Sequence, residues 1–311
     1  MDTTITGQDV SAARERIRGR VRRTPVLEVG EPGRPRWLKC EFLQHTGTFK
    51  ARGAFNRLLV AAQEGSLDPG RGVVTASGGN AGLANAHAAA ALGVPATVFV
   101  PLTAPAVKVA RLRGLGADVR LVGRQYAEAY EAAVEFSAAR GAVFAHAYDQ
   151  PEIAAGAGTL ALEVLEDVPD VDTVVVAVGG GGLFAGVAVA LEGRARVVAV
   201  EPEGAPTLHR ALAAGGPVDV EVSGVAADSL GARRVGAIAF DVARRTAPVS
   251  VLVDDARITA ARAQLWERFR VAAEHGAAAA WAGLGAGGYE PAPDERVVVV
   301  VCGANTDPST L

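Results

Sequence analysis

The chain has 311 residues, of which half are hydrophobic and 21% are charged, and its formal net charge is −3. This length allows about two domains and a sizeable buried core. The small negative charge excludes the basic surface that binding to nucleic acid or to an anionic membrane would need. Two cysteines, Cys40 and Cys302, are too few for a disulfide framework or a multi-cysteine zinc site. Because the N-terminus has neither a basic start nor an apolar run, we expect no secretory signal and a cytoplasmic protein.

Valine- and isoleucine-rich segments alternate along the chain with alanine-rich segments of helical character. Near-continuous apolar runs are typical of strands that are covered on both faces, as in parallel sheets. The alternation predicts βαβ units and the α/β class. In chain order we predict strand 73–75, helix 81–92, strand 96–100, helix 106–115, strand 118–122, helix 126–140, strand 142–144, helix 156–166, strand 174–178, helix 184–191, strand 197–200, helix 258–273 and strand 297–301.

The stretch 173–191 contains no charged residue and is long enough to be considered as a membrane-spanning helix. Four consecutive glycines, residues 179–182, lie in its middle, and each interior glycine destabilises a helix by roughly 1 kcal/mol relative to alanine. We therefore interpret the stretch as a buried strand, a turn and a helix, and we expect no membrane span.

The glycine run 179–182 predicts an anion-binding turn. Backbone N–H groups without side chains, at the N-terminus of a helix, form a cradle for a phosphate. The spacing Gly180-x-Gly182-x-x-Ala185, with Glu201 at the end of the next strand, fits a dinucleotide and so allows an NAD-binding oxidoreductase. Alternatively, the turn binds the single phosphate of pyridoxal 5'-phosphate (PLP), or it serves only tight packing of strand on helix.

Lysine is rare in this sequence: Lys39, Lys50 and Lys108 stand against a large excess of arginine. Arginine can serve surface ion pairs but cannot form a Schiff base, so a lysine is the candidate nucleophile. Lys50 follows a glycine-containing loop at the predicted start of a helix, whose free N–H groups and dipole disfavour the ammonium form. A lysine with a lowered pKa attacks aldehydes and acts as a general base. The ordinary alternative is a solvated surface lysine.

The residues around Lys50 resemble a known family. Thr48-Phe49-Lys50-x-Arg52-Gly53-Ala54 resembles the Ser-Phe-Lys-x-Arg-Gly-Ala signature of fold-type II PLP enzymes of the serine/threonine dehydratase (ammonia-lyase) group. Further matches follow in the family's order over nearly the whole chain: Ser77-Gly78-Gly79-Asn80-Ala81-Gly82, Leu92-Gly93-Val94-Pro95-Ala96, Asp149-Gln150-Pro151-Glu152 with Gly158-Thr159, the glycine run with Leu183, Glu201-Pro202, Ser229-Leu230-Gly231, and Val301-Cys302-Gly303-Ala304-Asn305.

The resemblance implies an architecture. It predicts an α/β protein of the tryptophan synthase β type, with two open, twisted, mostly parallel sheets and flanking helices. A large PLP-binding domain would comprise residues 1–43 and 149–311, and a small domain would be inserted at residues 44–148. The family habit implies a homodimer. The chain stops soon after the Cys302 strand, so we expect no C-terminal regulatory domain.

The resemblance also implies roles for individual residues. Lys50 would hold PLP as an internal aldimine and, once the substrate amine displaces it, would remove the Cα proton. Asn80 would hydrogen-bond the ring hydroxyl, and Cys302 would contact the ring nitrogen. The remaining contacts would come from Phe49 on one ring face and Ser229, Leu230 and Gly231 on the other, from Gly179, Gly180, Gly181, Gly182 and Leu183 at the phosphate, and from Ser77, Gly78, Gly79, Asn80 and Ala81 at the substrate carboxylate.

Two positions refine the expected chemistry. The Cys302 thiol carries no fixed negative charge that would keep the ring nitrogen protonated, which favours elimination over transamination. Gly78 stands where similar serine racemases have a serine, so we expect little or no racemisation. The family often binds a cation near the position of Glu201. Divalent-ion members have an acid where this chain has Thr207, so we expect a monovalent ion such as K⁺. Its ligands would be Glu201, Ala205, Leu230 and Ala232.

The predicted function is PLP-dependent deamination of L-serine or L-threonine to pyruvate or 2-oxobutyrate plus ammonia. The alternatives are PLP-dependent β-replacement, dehydration of another hydroxy-amino acid such as 3-hydroxyaspartate, and the NAD-binding oxidoreductase. One departure from the family pattern is Glu274-His275-Gly276-Ala277, which is one residue shorter than usual. His275 is there a catalytic candidate or, as the blander interpretation, a loop histidine with a local hydrogen bond.

Overall fold

The computed structural model describes residues 4–311. Its helices are α1 (Gly7–Ile17), α2 (Lys50–Gln63), α3 (Asn80–Leu92), α4 (Ala106–Gly114), α5 (Tyr126–Arg140), α6 (Pro151–Asp167), α7 (Gly182–Ala190), α8 (Thr207–Ala214), α9 (Ala227–Leu230), α10 (Ala237–Thr246), α11 (Asp255–Phe269) and α12 (His275–Ala282). Its strands are β1 (Val26–Glu28), β2 (Arg36–Lys39), β3 (Val73–Ala76), β4 (Ala96–Val100), β5 (Asp118–Leu121), β6 (Val143–Phe144), β7 (Thr173–Ala177), β8 (Arg196–Pro202), β9 (Val249–Val253) and β10 (Val297–Val300).

The strands form two open sheets. The six-stranded sheet has the order β1-β2-β10-β7-β8-β9, and the four-stranded sheet has the order β5-β4-β3-β6. All neighbouring strands run parallel except β1 and β2, which are antiparallel. The predicted α/β class, with two mostly parallel sheets and flanking helices, is confirmed.

The predicted apolar strands lie in the middle of these sheets. Every residue of β7 and of β10 is buried, as expected for strands that helices cover on both faces. The uncharged stretch 173–191 divides into β7, the glycine turn and α7. Among the helices of residues 4–311, none is long and apolar enough to cross a membrane.

Each predicted strand and helix has a counterpart, with ends that differ by a few residues. The sequence analysis missed β1, β2 and β9, which are less completely buried than the central strands and carry a weaker apolar signal. The strands of the four-stranded sheet come from residues 73–144, and those of the six-stranded sheet from residues 26–39 and 173–300. The domain boundaries at 43/44 and 148/149 stay a prediction.

Arg52, two residues after Lys50, belongs to a buried ionic cluster that also contains Lys39, Glu41 and Glu163. The Arg52 guanidinium is 1% exposed and donates to both carboxylate oxygens of Glu41 and to both of Glu163 at 2.8–2.9 Å. Lys39 Nζ, fully buried, donates to Glu163 at 2.6 Å. Two cations and two carboxylates therefore neutralise one another and connect α2, which begins at Lys50, to α6.

Candidate active site

Lys50 is the first residue of α2, and its side chain is partly buried. Nζ donates to the Ala147 carbonyl oxygen at 2.7 Å and lies 5.0 Å from the centroid of the Phe49 ring. Among the described residues no carboxylate pairs with this amine. Burial lowers the pKa of Lys50 from its usual value near 10.5 to about 8, while the nearby Cys302 and Glu274 act in the opposite direction. An amine that readily becomes neutral is a competent nucleophile and base.

The glycine turn lies beside this amine. Tyr148, which directly follows Ala147, places its ring against Gly180, so that a Cβ atom at Gly180 would overlap the ring. Gly181 has φ +89°, the left-handed conformation that favours glycine, and forms the N-cap of α7. The bare amides at this helix N-terminus can bind an anion. Lys50 and the turn are thus joined through two consecutive residues.

A second helix N-terminus lies at the carboxyl end of β3. Helix α3 begins at Asn80, and its N-cap Gly79 donates its backbone N–H to Ser77 Oγ at 3.3 Å. A Cβ atom at Gly82 would overlap the Ser77 carbonyl oxygen, so glycine is needed for this close approach. The N–H groups of the first helical turn have no partners within the helix. They can bind a carboxylate, and the residues 77–81 predicted for that role lie here.

Four side chains form a continuous hydrogen-bonded chain through the site. Arg111, an exposed residue of α4, donates to Asn305 Oδ1. Asn305 Nδ2 donates to Asn80 Oδ1 at 2.7 Å, and Asn80 Nδ2 donates to Glu274 at 2.8 and 3.1 Å. Burial raises the pKa of Glu274 to about 7, and the hydrogen bond from Asn80 partly opposes this rise. Asn80 therefore occupies a fixed position between Asn305 and Glu274.

Cys302 and Phe49 are adjacent in space. The Phe49 N–H donates to the Cys302 carbonyl oxygen at 3.1 Å. Cys302 is 4% exposed, and burial, together with the nearby carboxyl of Glu274, raises the pKa of its thiol far above the usual range. The thiol is therefore neutral, as the argument for elimination requires.

The predicted ring-face segment 229–231 contacts both the glycine turn and α12. A Cβ atom at Gly179 would lie 3.1 Å from Leu230 Cα. Ser229 Oγ accepts a hydrogen bond at 3.0 Å from the backbone N–H of Gly276, near the N-terminus of α12. The segment is therefore positioned beside the glycine turn by contacts on both sides.

Glu201 serves the start of α8. Its carboxylate accepts from the backbone N–H groups of Leu208 at 2.7 Å and His209 at 2.8 Å, and lies 3.0 Å from Thr207 Oγ1. Thr207 Oγ1 donates to the Gly179 carbonyl oxygen at 2.6 Å, which ties the acid to the glycine turn. Burial raises the pKa of Glu201 to about 7 against these hydrogen bonds. With its oxygens used in this way, Glu201 is unavailable to a dinucleotide ribose.

The predicted cation ligands receive little support from these contacts. The Ala205 carbonyl oxygen already accepts from Thr207 N at 3.0 Å, in addition to the bonds that Glu201 makes to α8. Among residues 4–311 no group of three or more His, Cys, Asp or Glu side chains is arranged to hold a metal ion.

The residues present fit PLP. The partly buried amine of Lys50 has a backbone carbonyl, not a carboxylate, as its hydrogen-bond acceptor, and the glycine turn beside it leaves no room for side chains. In the loop before Lys50, Thr46 Oγ1 and Thr48 Oγ1 are buried without a hydrogen-bond partner. Unpartnered buried hydroxyls cost about 1–3 kcal/mol each, so a polar partner at these two hydroxyls would be favourable.

The comparison with known proteins decides the family. Residues 17–303 match the family described as pyridoxal-phosphate dependent enzyme. The chain belongs to this family. It is 38% identical over 309 residues to the L-threonine ammonia-lyase of Geobacter sulfurreducens, covering 97% of this chain and 76% of that protein. It is 37% identical to the phenylserine dehydratase of Ralstonia pickettii, covering 100% and 97%.

Solved structures of the PLP family share the fold. The structure of maize serine racemase superimposes with a TM-score of 0.89 at 30% sequence identity, covering 99% of this chain and 95% of that one. The predicted membership in the fold-type II dehydratase group is confirmed, and the NAD-binding alternative is wrong. Its acidic residue, Glu201, instead caps α8.

Sequence reasoning missed several residues of this PLP site. Glu274 was given no role, because its motif was considered only for being one residue shorter than usual. An acidic residue before a run of small residues could have indicated it as a site residue. Asn305 was quoted with the Cys302 motif but given no role, and Tyr148 carried no signal at all. His275 is not in a loop: it is the half-buried first residue of α12, and its side chain makes no hydrogen bond to the described residues.

Proposed function

We propose that the chain catalyses the PLP-dependent deamination of L-serine or L-threonine to pyruvate or 2-oxobutyrate and ammonia. The observation that carries this proposal is the partly buried Lys50 amine, which donates to a backbone carbonyl, has no carboxylate partner among the described residues and lies beside the glycine turn. The identity to a threonine ammonia-lyase over nearly the whole chain supports the reaction type. The identity to a phenylserine dehydratase supports loss of a β-hydroxyl group as the chemistry common to these relatives.

Different residues of the site bind the substrate carboxylate and accept the Cα proton. When bound, PLP supplies an electron-withdrawing ring that acidifies the proton on the substrate's Cα atom. The N–H groups of residues 77–81 bind and orient the substrate carboxylate at the N-terminus of α3. The neutral Lys50 amine accepts the Cα proton, and its lowered pKa makes it available near neutral pH.

The remaining contacts bind and tune the cofactor. Gly179 to Leu183 bind the phosphate, Asn80 binds the ring hydroxyl, and Phe49 with residues 229–231 encloses the ring. The Cys302 thiol at the ring nitrogen adds no negative charge, because its burial keeps it protonated. Without a carboxylate at that nitrogen, loss of the β-hydroxyl is favoured over transamination.

Racemisation is the competing reaction, since a serine racemase shares this fold. A racemase needs a second acid–base group on the face of Cα opposite the lysine, and Gly78 offers no side chain there. The Cβ position of Gly78 faces Val100 Cγ1 at 3.3 Å, so the surroundings of this position are apolar. The site therefore favours elimination.

Two further parts of the proposal concern assembly and ions. We expect a homodimer, which light scattering after size-exclusion chromatography measures directly. We also expect a monovalent cation at Glu201, Ala205, Leu230 and Ala232. Exchanging K⁺ for a bulky organic cation should then lower the rate of 2-oxo acid release. Equal rates in both salts would contradict the proposed cation site.

The decisive experiment measures 2-oxo acid and ammonia release from a panel of L-amino acids by the PLP-loaded protein. L-Serine or L-threonine should give equal amounts of both products, and Lys50→Ala should give neither. The control is Arg113→Ala, a change at an exposed residue of α4. Consumption of serine only when a second nucleophile is added would identify β-replacement instead, and turnover of 3-hydroxyaspartate alone would reassign the substrate. A protein that takes up no PLP would refute the proposal.

A further inference from the structure

Asn305 uses every polar atom of its side chain. Its Nδ2 donates to the Thr46 carbonyl oxygen at 2.9 Å and to Asn80 Oδ1 at 2.7 Å, and its Oδ1 accepts from the Arg111 guanidinium. Asn305 and Asn80 are 225 residues apart in the sequence. Asn80 follows β3 of the four-stranded sheet, whereas Asn305 follows β10 of the six-stranded sheet.

The direction of these hydrogen bonds is fixed by the partners at their ends. A guanidinium can only donate, and a backbone carbonyl can only accept. The amide of Asn305 therefore has one orientation, with its oxygen toward Arg111 and its nitrogen toward Thr46. Rotation by 180° would place donors against donors at Arg111 and acceptors against acceptors at Thr46.

This orientation determines the amide of Asn80 in turn. Because Asn305 donates to Asn80 Oδ1, the nitrogen of Asn80 must point the other way. There it donates to both oxygens of Glu274, whose side chain is buried and whose backbone N–H is held by the Gly303 carbonyl oxygen at 3.1 Å. Because these two oxygens belong to one carboxylate, a single bifurcated N–H of Asn80 can serve both, and the second N–H remains as a donor for a ligand. Asn80 thus presents a donor, and not its oxygen, on the side away from Asn305.

The same side chain holds the loop that leads to Lys50. Thr46 has φ +62°, a left-handed conformation that is strained for a β-branched residue and needs support from its surroundings. Its carbonyl oxygen is one of the two acceptors of Asn305 Nδ2. Asn305 therefore connects the turn before the reactive lysine to the residue that opens α3.

We propose that Asn305 is a positioning residue that fixes the Asn80 amide as a hydrogen-bond donor toward the ring hydroxyl oxygen of PLP. The contact with Arg111 links this orientation to helix α4, on the four-stranded-sheet side of the site. The inference rests on the proposed function, in which Asn80 binds that oxygen. It assigns to Asn305 and Arg111 a role in cofactor recognition that is exerted through Asn80.

The test compares three variants in the full-length protein. Asn305→Asp keeps the shape of the side chain but places an acceptor where Thr46 and Asn80 need a donor. Arg111→Ala removes the exposed anchor without disturbing the core. Arg113→Ala, on the same helix and without a side-chain partner among the described residues, is the matched control. Titration of the PLP-free protein with PLP gives the dissociation constant, and the visible spectrum reports the surroundings of the ring.

We expect Asn305→Asp to weaken PLP binding by about tenfold or more and to shift the visible absorption maximum, because a buried donor is lost and acceptors face each other. Arg111→Ala should weaken PLP binding by about two- to threefold at an unchanged melting temperature, the size of effect typical of an exposed charged contact. Arg113→Ala should match the unchanged protein in both measurements.

Three results would overturn the inference. The first is wild-type PLP affinity and spectrum in Asn305→Asp, whether or not its melting temperature falls. The second is a wild-type PLP affinity in Arg111→Ala. This result would refute the proposed role even if Asn305→Asp did not fold. The third is an equal loss in Arg113→Ala and Arg111→Ala. If the unchanged protein itself bound no PLP, the proposed function would fail first, so the two failures are distinguishable.

Discussion

Replacing Arg52 by methionine tests whether the buried ionic cluster stabilises the fold around Lys50. The Arg52 guanidinium is 1% exposed and makes four hydrogen bonds of 2.8–2.9 Å to the carboxylates of Glu41 and Glu163. Methionine fills a similar volume and adapts its shape, so the measured loss reports mainly the missing charge and hydrogen bonds.

The magnitude follows from the charges that remain. Without Arg52, Glu163 keeps Lys39 as its partner, whereas Glu41 keeps only the hydroxyl of Thr24. Removing one partner of a buried ion pair costs about 3–5 kcal/mol, because the other charge stays buried and unpaired. Since folded domains are stable by only about 5–15 kcal/mol, Arg52→Met should lose a large part of the total free energy of unfolding.

The assay is urea denaturation of the PLP-free protein, followed by far-ultraviolet circular dichroism. Arg14→Met is the matched control: Arg14 pairs with Glu166 at a partly exposed site, where such a change costs no more than about 1 kcal/mol. Adding Glu41→Gln to Arg52→Met removes the stranded charge, so the double variant should be less destabilised than the sum of the single ones. A loss below about 1 kcal/mol in Arg52→Met, or strict additivity, would contradict this account.

Three further predictions concern the cofactor site. Folding lowers the pKa of Lys50 from 10.5 to about 8, so at pH 7 the charged ammonium form reduces the stability of the folded protein. Lys50→Met should therefore raise the melting temperature of the PLP-free protein at pH 7. This gain should shrink as the pH rises towards 10.5, because the amine is then neutral in both the folded and the unfolded chain. A result with no gain at pH 7 would mean that the amine is solvated. Gly180→Ala should abolish PLP uptake in a spectral titration, because the new Cβ atom would displace the Tyr148 ring, whereas Gly216→Ala, which has open space around it, should bind PLP normally. Gly78→Ser should allow D-serine to form from L-serine, measured by chiral chromatography, and equal rates in the variant and the parent would show that this position does not control racemisation.

Much of this protein could be predicted from local sequence. All four residues of β10 and three of the five residues of β7 are valine, a pattern typical of strands covered on both faces, and the alternation of such strands with helices predicted the α/β class. The glycine turn and Lys50 could be picked out as candidates because each depends on residue type at one place in the chain. Glycines before a helix leave backbone amides uncovered, and Lys50 is one of three lysines in a chain rich in arginine.

The outer strands could not be predicted in the same way. Strands β1 and β2 are short and less completely buried than the central strands; β1 pairs with β2, and β2 pairs with β10. Their residues carry no strong period of their own. Strand pairing, and not local preference, decides such segments.

The contacts that orient the site were decided by tertiary structure alone. By its position at the end of a strand, Glu201 suited a ribose as well as any other partner, and only the packing of α8 against it directed its oxygens to the backbone N–H groups of Leu208 and His209. Asn80 and Glu274 are 194 residues apart, so nothing in either local sequence indicates their hydrogen bonds. The physical reason is that a hydrogen bond depends on distance and direction in space. The sequence determines which groups can donate and accept, and the packing of the two sheets determines which of them meet.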